Sequence, residues 1–141
     1  GCSKTLQDIL DDSERLQLLQ KLINLRHGKG TRSSDQIPLR AIGPAFFNEY
    51  EARSDYYDDW LKKQTGENRI PDDPVARHKK IIELRQHAYQ QLCDSVYEEK
   101  GYTPEGVPLA ETLEAFGLLD DQALTLLGEL GQRLKGRLLS N

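Results

Sequence analysis

The chain has 141 residues, 37% of them apolar and 30% charged, with 19 Lys and Arg against 23 Asp and Glu; length and composition describe a single soluble domain with a modest core. The charges are interspersed and mildly acidic in balance, which excludes a broad phosphate-binding face, so nucleic acid is not an expected partner. No apolar run approaches the roughly 20 residues needed to cross a bilayer and no charged-then-apolar signal segment opens the chain, so a membrane is not expected either and a cytoplasmic location is.

The first residues carry a competing signal. Gly1-Cys2-Ser3-Lys4-Thr5 fits the Gly-x-x-x-Ser/Thr pattern that follows a removed Met in N-myristoylated proteins, with Cys2 as a second acyl site, and the plainer reading is that these residues simply precede a helix. Ser3 is the expected N-cap of that helix. Leu6, Ile9, Leu10, Leu16, Leu19, Leu22 and Ile23 then recur at three- and four-residue spacing and predict one apolar stripe, ending near Arg26 where Gly28 and Gly30 allow the chain to leave the helix.

A polar loop through Asp35 leads to Ile37-Pro38, and Gly43-Pro44 opens a second helix with an aromatic stripe: Phe46, Phe47, Tyr50, Tyr57, Trp60 and Leu61. Asp73-Pro74 opens a third and longest helix, running through Ile81 and Leu92 to Lys100-Gly101. A brief helix from Leu109 to Phe116 is closed by Gly117, and Asp120 or Asp121 caps a last one with Leu124, Leu127, Leu130 and Leu134 on one side. No period-two run of β-branched residues interrupts this series. The expected fold is all-α, four or five helices forming one helical domain over residues 1–141.

Catalytic and metal-binding signatures do not stand out. There is no Gly-x-Ser-x-Gly elbow, phosphate-cradling glycine loop or His-Glu-x-x-His pair, and His27, His78 and His87 are too scattered to share a metal. Cys2 and Cys93 lie in no Cys-x-x-Cys arrangement, which fits a reducing compartment. Adjacent carboxylates such as Asp58-Asp59 and Asp120-Asp121 point apart on a helix, and several stand at helix entrances where they satisfy orphan N–H groups. The aromatic stripe can stack bases or sugars, but without an excess of basic residues it reads as a packing face. Most distinctive is the loop from Asn24 to Arg40, in which Arg26, Arg32 and Arg40 accompany Asp35 among glycines and a proline; guanidinium forks of this kind suit bidentate pairing across an interface.

That loop, with Asn24, Leu25, Arg26, Gly28, Thr31, Arg32, Asp35, Pro38 and Arg40, resembles the Asn-Leu-Arg-Glu-Gly, Thr-Arg, Asp-x-Leu-Pro-x-Arg pattern near the C-terminus of the aldehyde ferredoxin oxidoreductase family. A second stretch, framed by Tyr97, Gly101, Tyr102, Gly106, Pro108, Leu113, Gly117 and Leu118, is similar to that family's closing segment. The chain departs from the pattern at His27 (glutamate in the family), Val96 (tyrosine), Lys100 (arginine), Tyr102 (tryptophan) and Leu109 (threonine).

The resemblance implies the C-terminal helical domain of a larger enzyme, one that oxidises aldehydes or related carbonyl or acyl compounds at a tungsten bis-pterin and passes electrons through a 4Fe–4S cluster to ferredoxin or another carrier. It places the cluster cysteines and pterin-contacting loops upstream, so no catalytic, cofactor-binding or metal-ligating residue is expected in this chain, and Cys2 is not assigned a cluster role. The partners it implies are the upstream cofactor-binding domains of the same polypeptide, with Asn24, Arg26, Arg32, Asp35 and Arg40 at the domain interface or the edge of the substrate channel. The competing reading is a free-standing helical interaction module, acylated at its first residues.

Overall fold

The computed structural model describes residues 3–66 and 69–138, with side chains as far as Arg133; Gly1 and Cys2, and with them the acylation motif, lie outside the described residues. The described chain is all-α. Its helices are α1 (Leu6–Arg26), α2 (Leu39–Ile42), α3 (Phe47–Glu51), α4 (Ser54–Thr65), α5 (Pro74–Glu99), α6 (Ala110–Ala115) and α7 (Asp121–Leu138). More helical segments form than the four or five expected, because residues 39–42 coil into a short turn and the aromatic helix breaks at Ala52 and Arg53. The chain divides into two compact units, one of residues 1–36 with 96–141 and one of residues 37–95.

In the first unit, α1 starts two residues later than Ser3 predicts. Thr5 is its N-cap: the Thr5 hydroxyl accepts from the Asp8 N–H at 3.1 Å and the Asp8 carboxylate accepts from the Thr5 N–H at 2.8 Å, a reciprocal capping box. Those Thr5 donors, backbone and hydroxyl, hold the Asp8 carboxyl below the usual range. α1, α5 and α6 all terminate in the same way. In each, a glycine in the left-handed region (Gly28, Gly101, Gly117) is followed by a residue whose N–H reaches back across the last turn: Lys29 to Asn24 O at 2.9 Å, Tyr102 to Tyr97 O and Leu118 to Leu113 O both at 2.8 Å.

The core of this unit joins α1 to α6 and α7. Leu25 packs with Val107, Leu126 and Leu130, and Leu18 with Leu113 and Ala123, while Leu22 bridges the two clusters. Two expectations hold only in part here. The buried side of α1 is Leu18, Leu22 and Leu25, whereas the other six residues of the predicted stripe are exposed. On α7 Leu130 is buried and Leu127 packs against both clusters as expected, but Ala123 and Leu126 complete the buried side and Leu124 lies outside; Leu134 lies outside the described side chains. Asp120 caps α7, accepting from the Ala123 N–H at 2.7 Å.

The second unit has an aromatic core. Tyr50, Leu61 and Ile81 are buried together, with Phe47, Tyr57, Trp60, Ile70 and Leu84 against them. The stripe is therefore a packing face, except that Phe46 points to solvent. Its polar atoms are paired: the Tyr50 hydroxyl donates to Asp58 at 2.7 Å, Arg77 donates to the other Asp58 oxygen at 2.6 Å, and Arg77 Nε donates to Pro71 O at 2.6 Å. Burial, reinforced by the Asp58 carboxylate, pushes Tyr50 up to about 12. Asp73 opens α5 as expected, accepting from the Val75 and Ala76 N–H groups at 3.2 Å.

Candidate functional site

The loop that leaves α1 is fastened to the turn that follows α5. Arg32 donates its backbone N–H to Glu105 O at 2.7 Å and its guanidinium to Pro104 O at 3.0 Å, and that guanidinium lies 5.7 Å from the centre of the Tyr97 ring. Asp35 accepts the Tyr97 hydroxyl proton at 2.7 Å on the oxygen that also pairs with Lys21 at 3.3 Å. The Lys21 ammonium in turn stands 5.8 Å from the Tyr97 ring and 5.5 Å from the Tyr102 ring. Tyr97 is buried, and a burial-driven shift pushes the Tyr102 phenol up from its ordinary value. An ammonium between two rings and a carboxylate, beside one guanidinium, is a satisfied network of charge-assisted bonds and cation–π contacts.

Gly106 makes this assembly possible. Its φ of +75° belongs to the left-handed region, and a Cβ there would sit 2.9 Å from Tyr97 Cζ and 3.0 Å from its hydroxyl. On the other side Asn24 supplies the carbonyl that closes α1, and its Cβ is 3.1 Å from where a Cβ on Gly30 would fall.

Of the five residues expected at an interface, the structure brings Arg32 and Asp35 together on Tyr97. Asn24 stands at the base of the same loop. Arg26 turns to α7, donating to Gln122 at 3.0 Å, and Arg40 belongs to the other unit, where it pairs with Glu49 and holds that carboxyl below its usual range. Sequence reasoning missed Lys21 and the role of Gly106 as the floor under Tyr97. Tyr97, Tyr102 and Gly106 were visible as motif positions, but nothing in their spacing announces that the second motif is the seat of the first.

Other groups with chemical potential are committed elsewhere. The His78 ring nitrogen is 2.8 Å from Pro44 O, with the ring against Phe47 and Tyr50. A cleft of about 320 Å³ in the first unit is lined by Glu14, Leu18, Lys100, Tyr102, Glu111 and Phe116, with Lys100 paired to Glu14 at 3.1 Å. Among the described residues no three His, Cys, Asp or Glu side chains converge as metal donors, and no helix is long and apolar enough to cross a membrane.

Two loops locked on a tyrosine between helices define an all-α domain whose distinctive residues brace one another. The family model described as aldehyde ferredoxin oxidoreductase, domains 2 & 3, matches residues 1–118, and the chain belongs to that family. The match takes in both motif blocks and α1 to α6, while α7 lies beyond it. No curated protein and no solved structure matches the chain.

Proposed function

We propose that residues 1–141 are the C-terminal helical domain of a tungstopterin, iron–sulfur oxidoreductase that oxidises aldehydes, or related carbonyl or acyl compounds, to the acid level with electron transfer to ferredoxin. The observation that carries this reading is the family match over residues 1–118. The chain's own donors do not fit the cofactors: a cluster needs several thiolates, Cys93 is the free cysteine among the described residues, and no donor group converges there. The chain's part is mechanical, holding the cofactor-bearing domains in position and keeping water from the channel.

Within that part, Asn24, Arg26, Arg32, Asp35 and Arg40 border the neighbouring domain or the channel edge. The Tyr97 seat supports this role indirectly, because a loop that is rigid before docking loses little entropy when it docks. The deciding measurement is the mass and metal content of the native polypeptide, detected with an antibody raised to this chain. A species several times heavier than 16.1 kDa that contains tungsten and iron is expected. A metal-free species near that mass would overturn the reading in favour of a free-standing interaction module, which the exposed aliphatic side of α1 favours as the second reading.

A further inference from the structure

The cleft of about 320 Å³ in the first unit has the volume of a small ligand site, at the lower end of the usual range. Its walls come from α1, from the end of α5 with the turn after it, and from α6. Short-range bonds fix those walls. The Thr112 hydroxyl donates to Gly101 O at 2.8 Å, clamping the turn to α6, and Lys100 pairs with Glu14 at 3.1 Å, tying the same turn to α1. Leu18 and Leu113, packed together, join α1 to α6 in the core, and the buried Leu18 is also part of the cleft lining. The concavity is therefore part of the folded unit, with its depth set by core packing.

The lining has one chemical character. Leu18 and the half-buried rings of Tyr102 and Phe116 make the interior apolar and aromatic. Glu14, Glu99 and Glu111 set three carboxylates there against the single ammonium of Lys100. That ammonium is taken by Glu14, whereas Glu99 and Glu111 enter no ion pair among the described residues. The Tyr102 hydroxyl likewise has no hydrogen-bond partner among them. An anionic ligand would have to compete with Glu14 for Lys100 and approach two further carboxylates of its own sign. A cation meets the opposite field, and the faces of aromatic rings attract it further. The Tyr102 ring already accepts a cation in this way: Lys21, which does not line the cleft, holds its ammonium 5.5 Å from the ring centre.

We propose that this cleft binds a small organic cation, a primary ammonium carried on a short aromatic or aliphatic stem. The stem lies against Leu18, Tyr102 and Phe116, and the ammonium pairs with Glu99 or Glu111. Binding is reversible and breaks no covalent bond. The site is separate from the loop of Asn24 to Arg40, and the inference does not depend on the enzyme reading, because every residue it uses lies in the first unit of this chain.

The test is a set of amide NMR titrations of the full 141-residue chain with phenethylamine, phenethyl alcohol and phenylpropionate, which share a ring and differ in charge. The expected result is saturable shifts at Tyr102, Thr112 and Phe116 with the amine, at an affinity several-fold above that of the alcohol and higher still above that of the acid. Added salt should narrow the gap between amine and alcohol. Glu111 is exposed, so Glu111→Gln should keep the spectrum of the folded chain, lower the amine affinity towards that of the alcohol and leave the alcohol unchanged. Ala115→Trp, at an exposed position of α6 that lines the cleft, should fill it and remove the response to the amine. Three results would overturn the proposal: no saturable response to the amine at these residues, equal affinity for amine and alcohol, or tighter binding of the acid. A Glu111→Gln chain that binds the amine as well as the unaltered one, with Glu99→Gln equally without effect, would overturn it too.

Discussion

Replacing Gly106 by alanine tests whether the loop-to-turn lock organises the first unit. Gly106 has a φ of +75°, and an added Cβ would approach Tyr97 Cζ to 2.9 Å, so the ring must move and its hydrogen bond to Asp35 is strained or lost. The left-handed backbone alone costs an L-residue roughly 1–2 kcal/mol, and losing a partly exposed hydrogen bond to a carboxylate adds about 1–2 kcal/mol. The expected destabilisation is therefore roughly 2–4 kcal/mol. Gly28→Ala is the matched control, because Gly28 has a φ of +73° and nothing within 4 Å of the added Cβ; it should cost only the backbone share, about 1–2 kcal/mol. Urea unfolding followed by far-ultraviolet circular dichroism gives both values, read from midpoints at constant slope. In a Tyr97→Phe background the gap between the two alanine variants should narrow, since the Asp35 bond is already absent. If Gly106→Ala costs no more than Gly28→Ala, the ring does not rest on Gly106 and the lock is refuted.

Leu113, fully buried between Leu18 and Ala123, should lose about 2–5 kcal/mol on truncation to alanine, whereas Leu16→Ala on the outer side of α1 should stay within about 0.5 kcal/mol; equal losses in urea unfolding would contradict the assignment of faces. Tyr50 has a folded value raised from 10.0 to about 12, so its stabilising effect is complete below pH 10.0 and disappears as pH rises through about 12. Tyr50→Phe should flatten the alkaline limb of the stability curve, and an unchanged limb would count against the Tyr50–Asp58 bond. Arg85 lies 4.6 Å from the centre of the Trp60 ring and donates to Ile42 O at 3.1 Å. Arg85→Gln should shift the emission of this sole tryptophan and lower the stability of the second unit by about 1–2 kcal/mol; an unmoved spectrum would place the guanidinium elsewhere.

Punctuation was the most legible part of the chain. Gly28, Gly101 and Gly117 end helices where expected, and Asp73 and Asp120 open them, because capping is a local contest between one side chain or one φ value and a few orphan backbone groups. Faces were less legible where leucines are plentiful. On α1, nine aliphatic positions satisfy helical spacing in more than one way, and the choice of Leu18, Leu22 and Leu25 is made by Leu113, Ala123, Leu126 and Leu130, about a hundred residues distant in sequence. Ala123 escaped notice for the same reason: a small residue adds little to an apolar pattern, yet it is buried against Leu18 and Leu113.

The arginine loop shows where motif reading meets its limit. Arginines and an aspartate in an ordered loop are equally suited to reaching a neighbour and to holding the loop itself, and charge cannot separate the two. Geometry separates them in part. Arg32 and Asp35 are bonded to Tyr97, Pro104, Glu105 and Lys21, so two of the residues that carry the family resemblance in the first block find partners in the second, while Arg26 and Arg40 do not. The two motif segments, some sixty residues apart in sequence, thus brace one another within the first unit. A surface that is rigid, internally paired and polar gains little by being covered. The exposed aliphatic side chains of α1 gain on the order of 25 cal/mol for each Å² removed from water, and that difference makes this side of the helix, rather than the charged loop, the surface that covering would stabilise more.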